Sequence, residues 1–405
     1  MKLSYLAYKN MVSKPLNLLL SLMLLLLSVS LVTFVLQLSK QLGGQLNRNI
    51  APFDMVVGAK GSPLQLVLSS VLHIDMPTGN IKLNEVAMLK KHPFIETAIP
   101  VSYGDNFKGF RILGTETRYL DQYNARLFEG ALFEKSFEVV AGSGAARQLG
   151  LKVGDSFTSS HGLVTANSEA HDDHPFVVKG ILRPTGTVVD QLLITSLESI
   201  WEAHDHGESV HHKEKADNPE EHHEEKEITS LLVTFRSPLG MVQIPRFINE
   251  NTTMQAALPG FEVQRLMKLL GSGVQTIQGI ALAILLVSGL SIFISLLKTI
   301  RDRRQELALL RTYGLRTRQL LRLVLFEAMF LALMGYFLGW LLGRLGIWGV
   351  SRYMQVSYGY SLQITGPELF ELFLLGLILA LAIVATLLAS LSIFKLDVVK
   401  TLSDA

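Results

Sequence analysis

The sequence predicts an integral membrane α-helical protein, with four transmembrane helices and a large α+β domain inserted between helices 1 and 2. Three observations carry this. Of the 405 residues, 49% are hydrophobic and 18% charged, where soluble domains carry about a quarter charged, and the mean hydropathy is +0.33. Four stretches stay apolar for the ~20 residues that a helix needs to cross a hydrocarbon core of about 30 Å. Between the first two lie about 235 residues of ordinary globular composition, enough for one or two packed domains. The net charge of +2, from 37 basic and 35 acidic residues, projects no field toward nucleic acid, which is not expected as a partner. Cysteine is absent, which excludes disulfides, thiolate zinc sites and thiol catalysis.

Residues 1–16 carry Lys2, Lys9 and Lys14 and no acid, and Leu6–Met11 reads as a short amphipathic helix. Residues 17–38 are uncharged and form the first span. Their apolar core is longer than the roughly 7–15 residues of a signal peptide, and Gln37-Leu38-Ser39-Lys40 offers no small-x-small cleavage pattern, so a retained anchor is expected. Residues 274–297, 323–343 and 369–394 form the other spans, helical because lipid cannot satisfy open backbone groups. Basic residues cluster in 1–16, in 298–322 and in the 395–405 tail. All three segments are therefore placed on the cytoplasmic side, with 39–273 and the short 344–368 loop facing outward.

Gly335, Gly339 and Gly343 recur every four residues in the third span, a spacing that lets a neighbouring helix approach closely. Glu327 is expected at the interface, paired with Arg318 or Arg322. No charge lies deep enough to mark an ion path, which argues against a pump acting alone.

Within 39–273, β-branched and aromatic runs at 53–57, 95–101, 110–113, 137–140, 176–182, 191–195 and 231–235 read as strands. Residues 83–91 and 144–149 read as helices, and 266–273 as a stalk into the second span. The stretch 203–227 gathers His204, His206, His211, His212, His222 and His223 among acids, with too few apolar residues to fold alone. It reads as a solvated loop, and also as a candidate for weak Zn²⁺ binding through imidazoles and carboxylates. His171-Asp-Asp-His174 is a smaller candidate of the same kind. No G-x-x-x-x-G-K-[ST], G-x-S-x-G or H-E-x-x-H pattern occurs, so no catalytic residue is assigned.

The cytoplasmic segment KTIRDRRQELALLRTYGLRTRQLLRLVLFEAMF alternates charged and apolar residues at helical spacing up to Gly314. It suits a helix lying on the bilayer or one filling a groove on a cytoplasmic partner. Its basic run, Glu306, Leu310-Arg311, Gly314, Arg316, Arg318 and Glu327 stand in the order of the signature of the MacB/FtsX-like permeases of ABC transporters, which the chain resembles. Ala145-Ala-Arg-Gln-Leu-Gly-Leu-Lys-Val-Gly-Asp155 and the layout of one span, large domain and three spans resemble that family too.

The resemblance implies a non-catalytic permease of the bacterial inner membrane with both termini cytoplasmic and a periplasmic MacB-like core domain. It implies a homodimer of the chain bound to a separate ABC ATPase subunit that holds the ATP, a periplasmic companion as a further candidate, and mechanotransmission rather than a channel. ATPase docking would fall to Arg303, Arg304, Glu306, Leu309, Leu310, Arg311 and Gly314. The AKGSPLQLVLS and PTGN runs resemble a subgroup of that family, and with the His-rich outer loop this resemblance implies a link to zinc-responsive systems. The alternatives are a membrane-anchored metal sensor or scaffold independent of nucleotide, and a lipoprotein-release or efflux permease.

Overall fold

The computed structural model describes residues 15–159, 175–208, 226–302, 312, 317–358 and 366–394. It divides into a helical unit (1–41, 270–351 and 362–405) and a second unit built on 42–269.

In the second unit, β1 (Met55–Ala59), β2 (Ile81–Lys82), β3 (Ile95–Phe107), β4 (Phe110–Thr115), β5 (Leu127–Gly130), β6 (Glu138–Ala141), β7 (Ser156–Phe157), β8 (Phe176–Leu182), β9 (Leu192–Thr195), β10 (Glu227–Ile228), β11 (Ser230–Phe235) and β12 (Met254–Ala257) follow in chain order. Ten of them form one sheet, ordered β12-β1-β11-β3-β4-β9-β6-β8-β5 with β7 on β8, while β10 pairs with β2. The pairs β4–β9 and β6–β8 are parallel and the rest antiparallel, so the sheet is mixed. β1, which enters the domain, lies beside β12, which leaves it, with Val56 opposite Ala257 and Ala59 opposite Met254.

Period-2 alternation sends neighbouring side chains to opposite faces, and here both faces are covered. Val56, Ile99, Leu113, Val140, Ile194 and Leu232 share one apolar cluster that runs along the sheet. Their neighbours Val57, Leu231 and Val233 fall in a second cluster, and Ile112, Val139 and Leu193 in a third. Double burial explains why these strands read as nearly continuous apolar runs.

The helices are α1 (Pro15–Ile50), α2 (Pro63–Ser70), α3 (Leu83–Lys90), α4 (Arg118–Gln122), α5 (Ser143–Leu149), α6 (Leu197–Glu208), α7 (Pro238–Asn251), α8 (Pro259–Asp302), α9 (Thr317–Tyr358) and α10 (Leu369–Phe394). α2 starts on a Ser62 side chain that accepts from the Gln65 amide at 3.4 Å, with Pro63 in the first turn. α5 stops at Gly150, whose φ of 69° is the left-handed cap that glycine adopts without strain. Gly142, just before α5, sits so near the next layer that a Cβ there would lie 2.2 Å from the Val189 carbonyl oxygen.

Among the described residues, four helices are long and apolar enough to cross a membrane, within Leu19–Ile50, Pro259–Lys298, Arg318–Gln355 and Leu369–Leu391. Three outrun the predicted spans. α1 continues to Ile50 because Leu46 and Ile50, four apart, still have apolar surface to cover, and α8 starts at Pro259 because Val263 and Met267 do likewise. Hydropathy reports the lipid-like part of a helix and is blind to its amphipathic extension. α9 runs on to Tyr358, so the expected outer loop 344–368 is helical over its first part. The loop expected at 203–227 is corrected in the same way, since α6 carries the chain helically to Glu208.

Candidate functional site

The helical unit is built around α9. Its glycines meet α1 along a seam: a Cβ at Gly335 would lie 2.3 Å from Leu25 Cδ2, one at Gly339 2.6 Å from the Leu26 carbonyl oxygen, and one at Gly343 3.0 Å from the Ser30 carbonyl oxygen. Gly346 extends the row against Phe34. A Cβ would meet the α1 backbone outright at Gly339 and would crowd Leu25, Ser30 and Phe34 at the other three, so the two helices approach closely over three turns.

α8 joins the bundle through Ser288, whose Oγ lies 2.6 Å from Ser28 Oγ and donates to the Leu24 carbonyl at 3.1 Å. On α10, Ala382, Ala385 and Ala389 are buried in the same apolar cluster as Leu285, Ile292 and Ala332. Small side chains on one stripe again let helices come near.

One polar cluster escaped the sequence reading. Arg344 Nη2 donates to both carboxylate oxygens of Glu371 at 2.9 Å, and the side chains of this pair are 11% and 1% exposed. Gln37 Nε2 donates to Glu371 Oε1 at 2.9 Å, and the Glu368 amide donates to Oε2 at 3.1 Å. Tyr336 Oη donates to the Glu371 carbonyl at 2.9 Å. Arg344 also lies over the Trp340 ring, 5.0 Å from its centroid, and reaches the Gly366 carbonyl at 3.0 Å. The available signal was a basic and an acidic residue at matching depth in consecutive apolar stretches, Arg344 just after the third and Glu371 just inside the fourth. Glu327, expected at the interface, is buried, whereas Arg318 and Arg322 are exposed.

The docking candidates Arg303, Arg304, Glu306, Leu309, Leu310, Arg311 and Gly314 lie outside the described residues. They fall in the connection between the end of α8 at Asp302 and the start of α9 at Thr317. Of the histidines, His204 and His206 fall in the last turns of α6, while His171, His174, His211, His212, His222 and His223 lie outside the described residues. Among the described residues no group of three or more His, Asp or Glu side chains could hold a metal ion.

The domain has a polar centre of its own. His73, at φ 55°, lies between two tyrosines, Nδ1 at 2.6 Å from Tyr103 Oη and Nε2 at 2.9 Å from Tyr119 Oη. Tyr103 Oη also donates to the Ser69 carbonyl. Burial, helped by the Arg111 charge, lowers the His73 pKa to about 3, so the imidazole is neutral at physiological pH. Burial also raises the Tyr103 hydroxyl above its usual range. Arg111 stacks on the Tyr103 ring at 5.1 Å and donates to the Asp75 carbonyl at 2.7 Å. These bonds pin the segment between α2 and β2 to the sheet. With the histidine neutral and both of its nitrogens engaged, the arrangement anchors a loop and leaves no free base.

Against known proteins, residues 279–398 match the FtsX-like permease C-terminal family. The pyoverdine export ATP-binding/permease protein PvdT of Pseudomonas fluorescens (strain Pf0-1) is 26% identical over 320 residues, which cover 76% of this chain and 46% of that protein. The chain thus spans about half the length of this curated relative. Among solved structures, the periplasmic region of MacB from Actinobacillus actinomycetemcomitans has 12% identity and a TM-score of 0.35, covering 55% of this chain and 97% of the other. The extracellular domain of the ABC-type transporter YknZ from Gram-positive bacteria has 12% identity and a TM-score of 0.31, covering 50% and 98%. The resemblance to MacB/FtsX-like permeases read from the cytoplasmic signature is borne out by the family match.

Proposed function

We propose that this chain, which carries an FtsX-like permease domain over residues 279–398, is the non-catalytic transmembrane subunit of an ABC system. A separate ATPase would bind and hydrolyse the ATP, docking on the basic segment through Glu306, Leu309, Leu310, Arg311 and Gly314, with Arg303 and Arg304 around them. The observation that carries the reading is the family match, which takes in that segment together with two of the four apolar helices and the second half of a third. The PvdT relative, an export protein that joins ATP binding to a permease, supports the link to ATP hydrolysis.

In this reading the chain sits in the bacterial inner membrane as a homodimer, both termini cytoplasmic and the inserted domain periplasmic, facing a ligand or companion protein there. Nucleotide acts through the ATPase, whose nucleotide-bound form would hold one arrangement of the helices more tightly than the other, and the shift is bounded by that difference in affinity. α1 and α8 suit the task because each runs unbroken from an apolar stretch into residues packed on the domain core. The export named for the PvdT relative makes efflux the leading candidate for the work performed.

The test is affinity purification of the full chain in mild detergent, with identification of a bound ATPase and measurement of its turnover. Leu310→Glu and Glu306→Lys are expected to abolish stimulation of the ATPase while the chain still folds and inserts. Stimulation equal to that of the unmodified chain in both variants would refute the docking assignment. A zinc link rests on the density of histidines in 203–227 alone. Zn²⁺ titration of the full chain, with and without residues 209–225, decides it, and equal binding by both forms removes zinc from the proposal.

A further inference from the structure

We propose that Arg344 and Glu371, with Gln37 and Tyr336, form a lock that holds one end of α1, α9 and α10 as a single block, leaving the adjoining half of α8 as the arm that moves. The inference depends on the four helices being membrane spans and is independent of any ATPase.

Each member of the cluster comes from a different helix or serves a different part of Glu371. Gln37 comes from α1, Tyr336 and Arg344 from α9, and Glu371 from the first turn of α10. The carboxylate accepts from Arg344, Gln37 and the Glu368 amide, while its backbone carbonyl accepts from Tyr336. A second ion pair, Lys40 to Glu368 at 2.6 Å, repeats the α1–α10 link one turn along. Charges so enclosed are held by direction as well as by proximity, because Arg344 Nη2, the Gln37 amide and the Glu368 backbone amide must all meet the one carboxylate at once. Removing one partner strands the other in a medium that cannot solvate it. The glycine seam continues the α1–α9 contact along the bundle from Gly346 to Gly335.

α8 is held differently. Leu285, Ser288, Ile292, Leu296 and Ile300 are buried. Between 271 and 284, by contrast, Ala281 is the one buried position among the described side chains. The half of α8 that leads from the inserted domain is therefore packed less closely than the half that follows it.

The absence of cysteine permits a direct test with spin labels on the full chain in nanodiscs of phosphatidylethanolamine and phosphatidylglycerol, diluted with unlabelled chain. Leu345→Cys with Phe373→Cys measures α9 against α10 across the lock, and Ile277→Cys with Phe373→Cys measures the arm against the block. All three positions are exposed. The block pair is expected to give a narrow distance distribution and the arm pair one at least twice as wide. Glu371→Gln and Arg344→Gln should at least double the width for the block pair. The double variant Arg344→Glu with Glu371→Arg should bring it back toward the original, since the Gln37 amide can present its oxygen instead of its nitrogen.

Should the single-charge variants not be recoverable, Gln37→Leu with Tyr336→Phe leaves the ion pair intact and should still broaden the block pair. An unchanged block-pair width in every recoverable variant overturns the lock. An arm pair as narrow as the block pair overturns the assignment of the moving helix. Loss of ATPase stimulation in Leu310→Glu bears on the proposed function and on neither of these distances.

Discussion

Replacing Gly339 by alanine sets two opposed effects against each other. In an unconstrained helix the change stabilises by about 0.8–1 kcal/mol, because glycine gives up more backbone freedom on ordering. At Gly339 the added methyl would sit 2.6 Å from the Leu26 carbonyl oxygen and 2.7 Å from Val29 Cβ. Both obstacles belong to the α1 backbone or lie one bond from it, so α1 itself must retreat. Overpacking of this kind costs about 1–3 kcal/mol, and a rigid obstacle places the cost in the upper part of that range.

The net expectation is a loss of roughly 1–2 kcal/mol. Gly349, on the same helix, has nothing within 4 Å of the corresponding position, so Gly349→Ala should be neutral or stabilising. Gly335→Ala should fall between them, since Leu25 can turn part of its side chain aside. Gly343→Ala, with its nearest obstacle at 3.0 Å, should be milder than Gly339→Ala. Thermal or SDS-induced unfolding of the purified full chain in one detergent measures the series. If Gly339→Ala unfolds together with Gly349→Ala, the seam does not hold the helices and the argument fails.

The His73 centre predicts a pH dependence of fixed sign. Its folded pKa of about 3 lies below the ordinary value of about 6.5, so between these values the unfolded chain binds a proton that the folded chain refuses. Its contribution is present above pH 6.5 and fades as the pH falls toward 3, by at most about 1.4 kcal/mol per pH unit and less where solvent reaches the ring. His73→Gln should be less stable at pH 7.5, and its deficit should shrink by pH 4.5; parallel curves would exclude the assignment.

Asp190 makes a separate prediction. Its carboxylate accepts from the amides of Thr185 and Gly186 and from the Thr185 hydroxyl. Asp190→Ala leaves those donors in a half-closed turn and should cost about 1–3 kcal/mol. Asp190→Asn should cost less, and equal losses would place the effect elsewhere.

What the sequence disclosed depended on the kind of signal. The strand at 176–182 was readable to the residue because Phe176, Val178, Gly180 and Leu182 alternate with outward neighbours. The apolar spans were equally plain. α7 was not, because Pro245 inside it and exposed apolar side chains such as Val242 and Phe247 hide its inward pair, Ile244 and Ile248. The glycine row was visible as a pattern, but that it faces Leu25, Leu26 and Ser30 on α1 is tertiary information. Arg344 and Glu371 are 27 positions apart and each looks like the frayed polar edge of a span. Only the fold makes them partners.

The strand pairing of β1 with β12 bears on how such a chain can diversify. Because the first and last strands of the insert are hydrogen-bonded neighbours, the insert closes on itself and needs only two adjacent points of attachment. Closely spaced ends are what makes a module tolerable as an insertion in a host. An unrelated module with the same narrow footing could replace it without re-registering the helices that precede and follow it in the chain.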